Sequence, residues 1–170
     1  MSEIPVAQPV KALIGIRRRA KFEFELYPSL WERKGFSRTF KKNAWTHVFF
    51  NRENKRSVPN ESGIYMFIIA PRHAYLRDHT YIFYVGQADD LSRRYGQYLD
   101  EQFGEDLEHD RERIVDFLDY FKGHVYFKYM LFPKAELDKA EDYLVDSIYP
   151  WANTRHRKEA KATLLGAQVI

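Results

Sequence analysis

Hydrophobic and polar positions follow one another along this chain in blocks whose period changes from two to nearly four. Lys21 to Leu26 (KFEFEL) alternates strictly, the pattern of a half-buried strand, and Trp45 to Phe50 (WTHVFF) is a second strand candidate. Residues 51–60 are polar with a late proline and read as a linker. Gly63 to Ala70 (GIYMFIIA) and Tyr81 to Val85 (YIFYV) are apolar enough to be strands, and residues 71–80 between them exceed a tight hairpin turn. Asp89 or Asp90 can then cap a helix running to about Phe103, with Leu91, Arg94, Tyr95, Tyr98 and Leu99 along one side. An acidic stretch, Glu101 to Asp110, separates it from a second helix around Arg113 to Phe121. Gly123 breaks the chain before a third strand, His124 to Phe132, and a last helix runs from Pro133 to Tyr149, ended by Pro150. The order strand, strand, helix, helix, strand, helix predicts an α/β (α+β) domain, a small sheet packed by helices.

Two charged residues interrupt the apolar stripes of these helices. Leu137, Glu141, Leu144 and Ile148 fall on a single face of the last helix, so Glu141 stands where an apolar side chain is expected. Arg94 does the same between Leu91 and Tyr98. Desolvating an ionised group is expensive, so such positions need a partner or a ligand. One reading is an Arg94–Glu141 salt bridge holding two helices in register, a type of pair that is often not net stabilising. The other is a functional site, since displaced charges mark such sites. The first demands direct contact; the second leaves room for a phosphate and a metal.

Composition narrows the function classes. At 170 residues the chain suits one domain with an extension. Its lack of cysteine excludes disulfides and thiolate-bound zinc. No apolar run approaches the ~20 residues of a membrane span, and MSEIPVAQPV lacks a signal-peptide pattern. The expectation is a cytoplasmic protein with no membrane partner, or one associated with the nucleoid. Charge is uneven: residues 1–60 hold thirteen Lys/Arg against five Asp/Glu (+8), and residues 61–170 fourteen against nineteen (−5). Arg17, Arg18, Arg19, Lys41 and Lys42, interleaved with Phe22, Phe24, Phe36, Phe40 and Trp45, form a candidate path for a phosphate backbone. The plainer alternative is a solvated surface. The six histidines show no paired metal-ligand spacing.

Among twelve tyrosines, any one in a strand is first a packing residue. Order and spacing single out two of them. Gly63-Ile64-Tyr65 is followed by Tyr84-Val85-Gly86 on the next strand, then Arg94, Tyr98, Glu141, Pro150 and Asn153, the last three as E-x8-P-x2-N. Five separated elements in this order, across residues 61–155, resemble the GIY-YIG endonuclease family, in particular the nuclease domain of the bacterial excision-repair enzyme and the homing endonucleases. The resemblance implies a central three-stranded antiparallel sheet in residues 61–170 and a metal-dependent endonuclease hydrolysing DNA phosphodiesters with one divalent cation, Mg²⁺ or else Mn²⁺. It implies that Glu141 holds the metal, that Tyr84 positions or deprotonates the attacking water with Tyr65 beside it, and that Arg94 stabilises charge on the phosphate. Tyr98, Asn153, Gly86 and Gln87 would orient these groups or the substrate. Gln87 stands where the excision-repair relatives usually carry lysine. Residues 1–60 match no module and are expected to be a basic, aromatic-rich extension with strands that supplies DNA binding. The alternative is a non-catalytic nucleic-acid-binding or interaction domain on the same scaffold, with a partner protein or a second copy.

Overall fold

The computed structural model describes residue 40 and residues 44–71, 80–101 and 112–153, without the side chains of 112 and 113. The strand expected over Lys21 to Leu26, the basic residues Arg17, Arg18, Arg19, Lys41 and Lys42, and most of the 71–80 loop lie outside these residues. No helix of the described residues is long and apolar enough to cross a membrane.

Strand β2 (Gly63–Ile69) is buried at all seven positions, which explains why its sequence is apolar rather than alternating. Both of its edges are paired, antiparallel, to β3 (Tyr81–Ala88) and β4 (Val125–Leu131). Among the described residues the sheet has four strands rather than the expected three, in the order β1-β4-β2-β3. The additional strand, β1 (Thr46–Phe49), comes from the segment WTHVFF and pairs antiparallel with β4. Its pairing covers an edge of β4 that would otherwise present unsatisfied backbone groups. Phe50 and Val58, which follow β1, are buried in the same core as β2, so this part of the expected extension is integral to the sheet. The linker 51–60 contains a 3₁₀ turn, Glu53–Ser57.

Alternation in β2 and β4 divides the sheet into two faces. Tyr65, Phe67, Ile69, Phe127 and Tyr129 look toward helices α1 (Leu91–Glu101) and α2 (Glu112–Tyr120). Ile64, Met66, Ile68 and Met130 look toward α3 (Leu137–Ile148). The start of α1 is fixed by Asp90, whose carboxylate accepts the Arg93 N–H at 2.8 Å, a side-chain N-cap. α3 follows a 3₁₀ turn, Lys134–Glu136, and closes with Tyr149 in the left-handed region (φ 52°) before Pro150.

Candidate active site

β3 does not alternate throughout. Phe67 of β2 faces Tyr84, but Ile68 faces Ile82, so Phe83 is an extra residue opposite none. This bulge puts Phe83 and Tyr84 on the same side of the sheet, against the α1–α2 core, while Ile82 and Val85 face α3. Tyr84 pairs with Phe67 and Gly86 with Tyr65, so regular alternation along this end of β3 puts the phenol of Tyr84 on the side that carries Tyr65. The bulge adds Phe83 to the same side and returns Ile82 to the α3 face.

Three phenols and a guanidinium gather there. The ring of Tyr65 lies 6.0 Å from that of Tyr84 and 6.1 Å from that of Tyr98, and Tyr84 lies 6.4 Å from Tyr98. The hydroxyls of Tyr65 and Tyr98 are hydrogen-bonded at 3.0 Å, and both side chains are 1% exposed. Gly86 sits under this group: a Cβ there would lie 2.6 Å from both Cζ and Oη of Tyr65 and 3.0 Å from Tyr84 Cε1. The residue is glycine because the ring of Tyr65 fills the space a side chain would need. Gly63 is similarly closed in, by the Met130 carbonyl at 2.5 Å and Leu91 Cδ1 at 2.7 Å from a Cβ placed there, which seats α1 against the start of β2.

Burial decides the ionisation of the inner pair. It pushes the Tyr65 phenol well above its ordinary range, and the neighbouring Tyr98 and Tyr84 act in the same direction against the weaker pull of Arg94. Tyr98 is also raised, by burial first and by Tyr84 next, with Arg94 again opposing. Both remain protonated and act as hydrogen-bonding groups. Tyr84, half-buried on β3, is the phenol of the three that solvent reaches most.

Arg94 is half-buried on α1, and its Nε is a buried donor with no hydrogen-bond partner. Such a group costs about 1–3 kcal/mol unless something satisfies it. No ion pair joins Arg94 to Glu141 among the described residues, so a salt bridge between these helices is not what places them. Glu141 is half-buried on α3, within the stripe of Leu137, Ala140, Leu144 and Val145 that packs on the other face of the sheet.

The remaining expected residues fall around β3. The side chain of Asn153 accepts the Val85 N–H at 2.9 Å and donates to the Val85 carbonyl at 2.8 Å. The Ala152 N–H donates to the Phe83 carbonyl at 2.8 Å. Residues 152 and 153 thus cover the outer edge of β3 beside the bulge. Gln87 points to the α3 side and donates to Asp138 at 2.6 Å, next to an exposed Lys134–Asp89 pair at 2.6 Å. Sequence reasoning missed the bulge at Phe83, because an unbroken apolar run shows no alternation to break. It also missed Tyr95, whose hydroxyl accepts the Asn51 N–H at 2.9 Å and reaches the Asn51 carbonyl at 2.8 Å, fixing the end of β1 to α1.

The donor set can be tested against the divalent cation that the motif implies. Among the described residues no three His, Cys, Asp or Glu side chains are grouped to hold a metal. The half-buried carboxylate of Glu141 fits Mg²⁺, which keeps several waters and takes one or two protein carboxylates, better than it fits zinc, which needs three or four protein ligands.

No protein-family model and no curated protein matches the chain. Its structure is similar to solved structures of the GIY-YIG N-terminal endonuclease domain of UvrC from Thermotoga maritima. Against the magnesium-bound form the identity is 20% and the TM-score 0.40, over 61% of this chain and 94% of that one. A point mutant bound to its catalytic divalent cation gives 20% identity and a TM-score of 0.41 over the same shares. Another gives 19% and 0.39, over 62% of this chain and 100% of that one.

Proposed function

We propose that this chain is a metal-dependent endonuclease that hydrolyses phosphodiester bonds of DNA. The observation that carries the reading is the cluster of Tyr65, Tyr84 and Tyr98 with Arg94 acting on the inner two phenols, and with Arg94 Nε buried and unsatisfied. A packing cluster has no use for an unsatisfied guanidinium donor, whereas a phosphate oxygen satisfies it with a charge-assisted hydrogen bond.

In this reading Arg94 holds the scissile phosphate and stabilises the charge that builds on it during attack. Tyr84, the most accessible phenol, hydrogen-bonds the attacking water and sets its line of approach. Tyr65 and Tyr98 stay protonated, so neither serves as the base; their hydrogen bond fixes the floor against which Tyr84 is oriented. Asn153 holds the β3 edge on which Tyr84 stands. Glu141 would hold the divalent cation. When bound, the cation polarises the phosphate and helps to generate the nucleophile. The basic residues Arg17, Arg18, Arg19, Lys41 and Lys42 supply non-specific attraction to the DNA backbone.

The test is cleavage of a panel of labelled duplex, flapped and branched DNAs by the purified chain, with Mg²⁺, with Mn²⁺ and with chelator. Cutting that depends on the cation supports the proposal. Binding that persists in chelator with no cleavage under either metal would instead make the chain a DNA-binding domain.

A further inference from the structure

Among the described residues, α3 covers only the β2 and β3 half of its face of the sheet. Its register gives two rows of side chains, Phe49–Tyr126–Ile68–Ile82 and His47–Lys128–Met66–Val85. At the β2 and β3 end of these rows Met66 and Val85 are buried in the core that α3 completes. At the β1 and β4 end His47 is exposed, and Phe49, Tyr126 and Lys128 are half-buried. Among the described residues α3 packs on β2 and β3, and Phe40 and Trp45 border the outer two strands on the same face.

That surface is aromatic and cationic. The imidazole of His47 meets the ring of Tyr126 edge-on at 6.1 Å, and Phe49 meets it at 5.4 Å. The Lys128 ammonium lies 5.5 Å from the centre of the Trp45 ring. His47, Tyr126 and Lys128, with Ile68, Ala70 and Thr80, line a cavity of about 680 Å³, the size of a small-ligand pocket. Among the described residues lining it there is no carboxylate. None of these groups belongs to the phenol cluster, which occupies the opposite face.

We propose that this half of the sheet binds single-stranded DNA, with a base stacked on Tyr126, the His47 imidazole against the edge of the stack, and a backbone phosphate on Lys128. Aromatic rings on a sheet, edged by a cation and with no carboxylate among the described lining residues, suit a ligand that alternates flat bases with negative charge. An acidic peptide would satisfy Lys128 but not use the ring faces. A purely apolar ligand would leave the ammonium unmatched. The choice of DNA over RNA rests on the nuclease reading; the stacking surface does not.

Fluorescence anisotropy of the full chain with a short labelled oligothymidylate, in chelator, tests the site separately from cleavage. The oligothymidylate is expected to bind more tightly than a labelled hairpin duplex of the same length. Tyr126→Ala and Lys128→Gln are each expected to weaken binding roughly ten-fold, in the range measured for losing one stacked base, while Tyr126→Phe retains it. Should Tyr126→Ala fold poorly, Lys128→Gln and the exposed His47→Ala carry the test. Unchanged affinity in these variants, no binding at all, or equal binding of duplex would overturn the proposal. A chain that binds the oligothymidylate through these residues yet cuts nothing would overturn the nuclease reading and leave this one standing.

Discussion

The hydroxyls of Tyr65 on β2 and Tyr98 on α1 meet at 3.0 Å in the interior, a direct hydrogen bond between two side chains of the sequence motif. Removing either hydroxyl leaves its partner buried and unsatisfied, at a cost of about 1–3 kcal/mol. Tyr65→Phe and Tyr98→Phe should therefore each lower stability by that order. The double variant should be less destabilised than the sum of the two, since its second substitution removes the orphan left by the first. Denaturant unfolding of the four proteins in the cycle measures this, and strict additivity would mean the hydroxyls do not interact.

Gly86→Ala should disturb the site from below. The added Cβ would meet the Tyr65 ring at 2.6 Å, and that ring is enclosed, so it must shift and carry Tyr84 with it. Overpacking of this kind costs about 1–3 kcal/mol. We expect a lower melting temperature and a nicking rate reduced well beyond what the stability loss explains. An alanine variant with wild-type rate and stability would show that the ring has space to move.

Asn153→Ala removes both hydrogen bonds to Val85 and opens the edge of β3 next to the bulge. Hydrogen exchange should report it directly, as faster exchange of the Val85 amide with little change in β4. Protection at Val85 that matches the wild type would mean that Asn153 does not hold the edge.

Much of this arrangement was legible in the sequence because it depends on spacing along regular elements. Arg94 and Tyr98 lie one turn apart on α1, so the helix period alone puts them on one side, and Asp90 announces its start as a cap. Two outcomes were not legible. The run YIFYV is apolar throughout, so nothing in it says that Phe83 is extra and shares the side of the sheet that Tyr84 occupies. The pairing of β1 with β4 joins residues about eighty positions apart, and local pattern fixes that a strand exists but not its neighbour. Glu141 was legible as a carboxylate in an apolar stripe; which face of the sheet α3 covers is a tertiary property that the stripe does not fix.

Alkaline pH should unfold the chain through its tyrosines. Burial pushes the Tyr95 phenol up to about 12 and raises Tyr65 and Tyr98 as well. An unfolded tyrosine titrates near ~10, so above that pH the folded state holds more protons than the unfolded one. The stability these groups contribute is fully present below pH ~10 and is lost as pH rises through their folded-state values. Unfolding midpoints should fall across that window, with tyrosinate absorbance from these residues appearing only as the chain unfolds. All phenols ionising near ~10 without loss of structure would contradict the assignment.

Cleavage of supercoiled plasmid by the full chain, with Arg94→Ala and Glu141→Gln measured beside the wild type in Mg²⁺ and in chelator, tests the central claim most directly. The wild type should nick only with the cation, and each folded variant should lose at least roughly a hundred-fold in rate, the scale of removing one transition-state contact. Wild-type rates in both folded variants, or cutting that survives the chelator, would contradict the account.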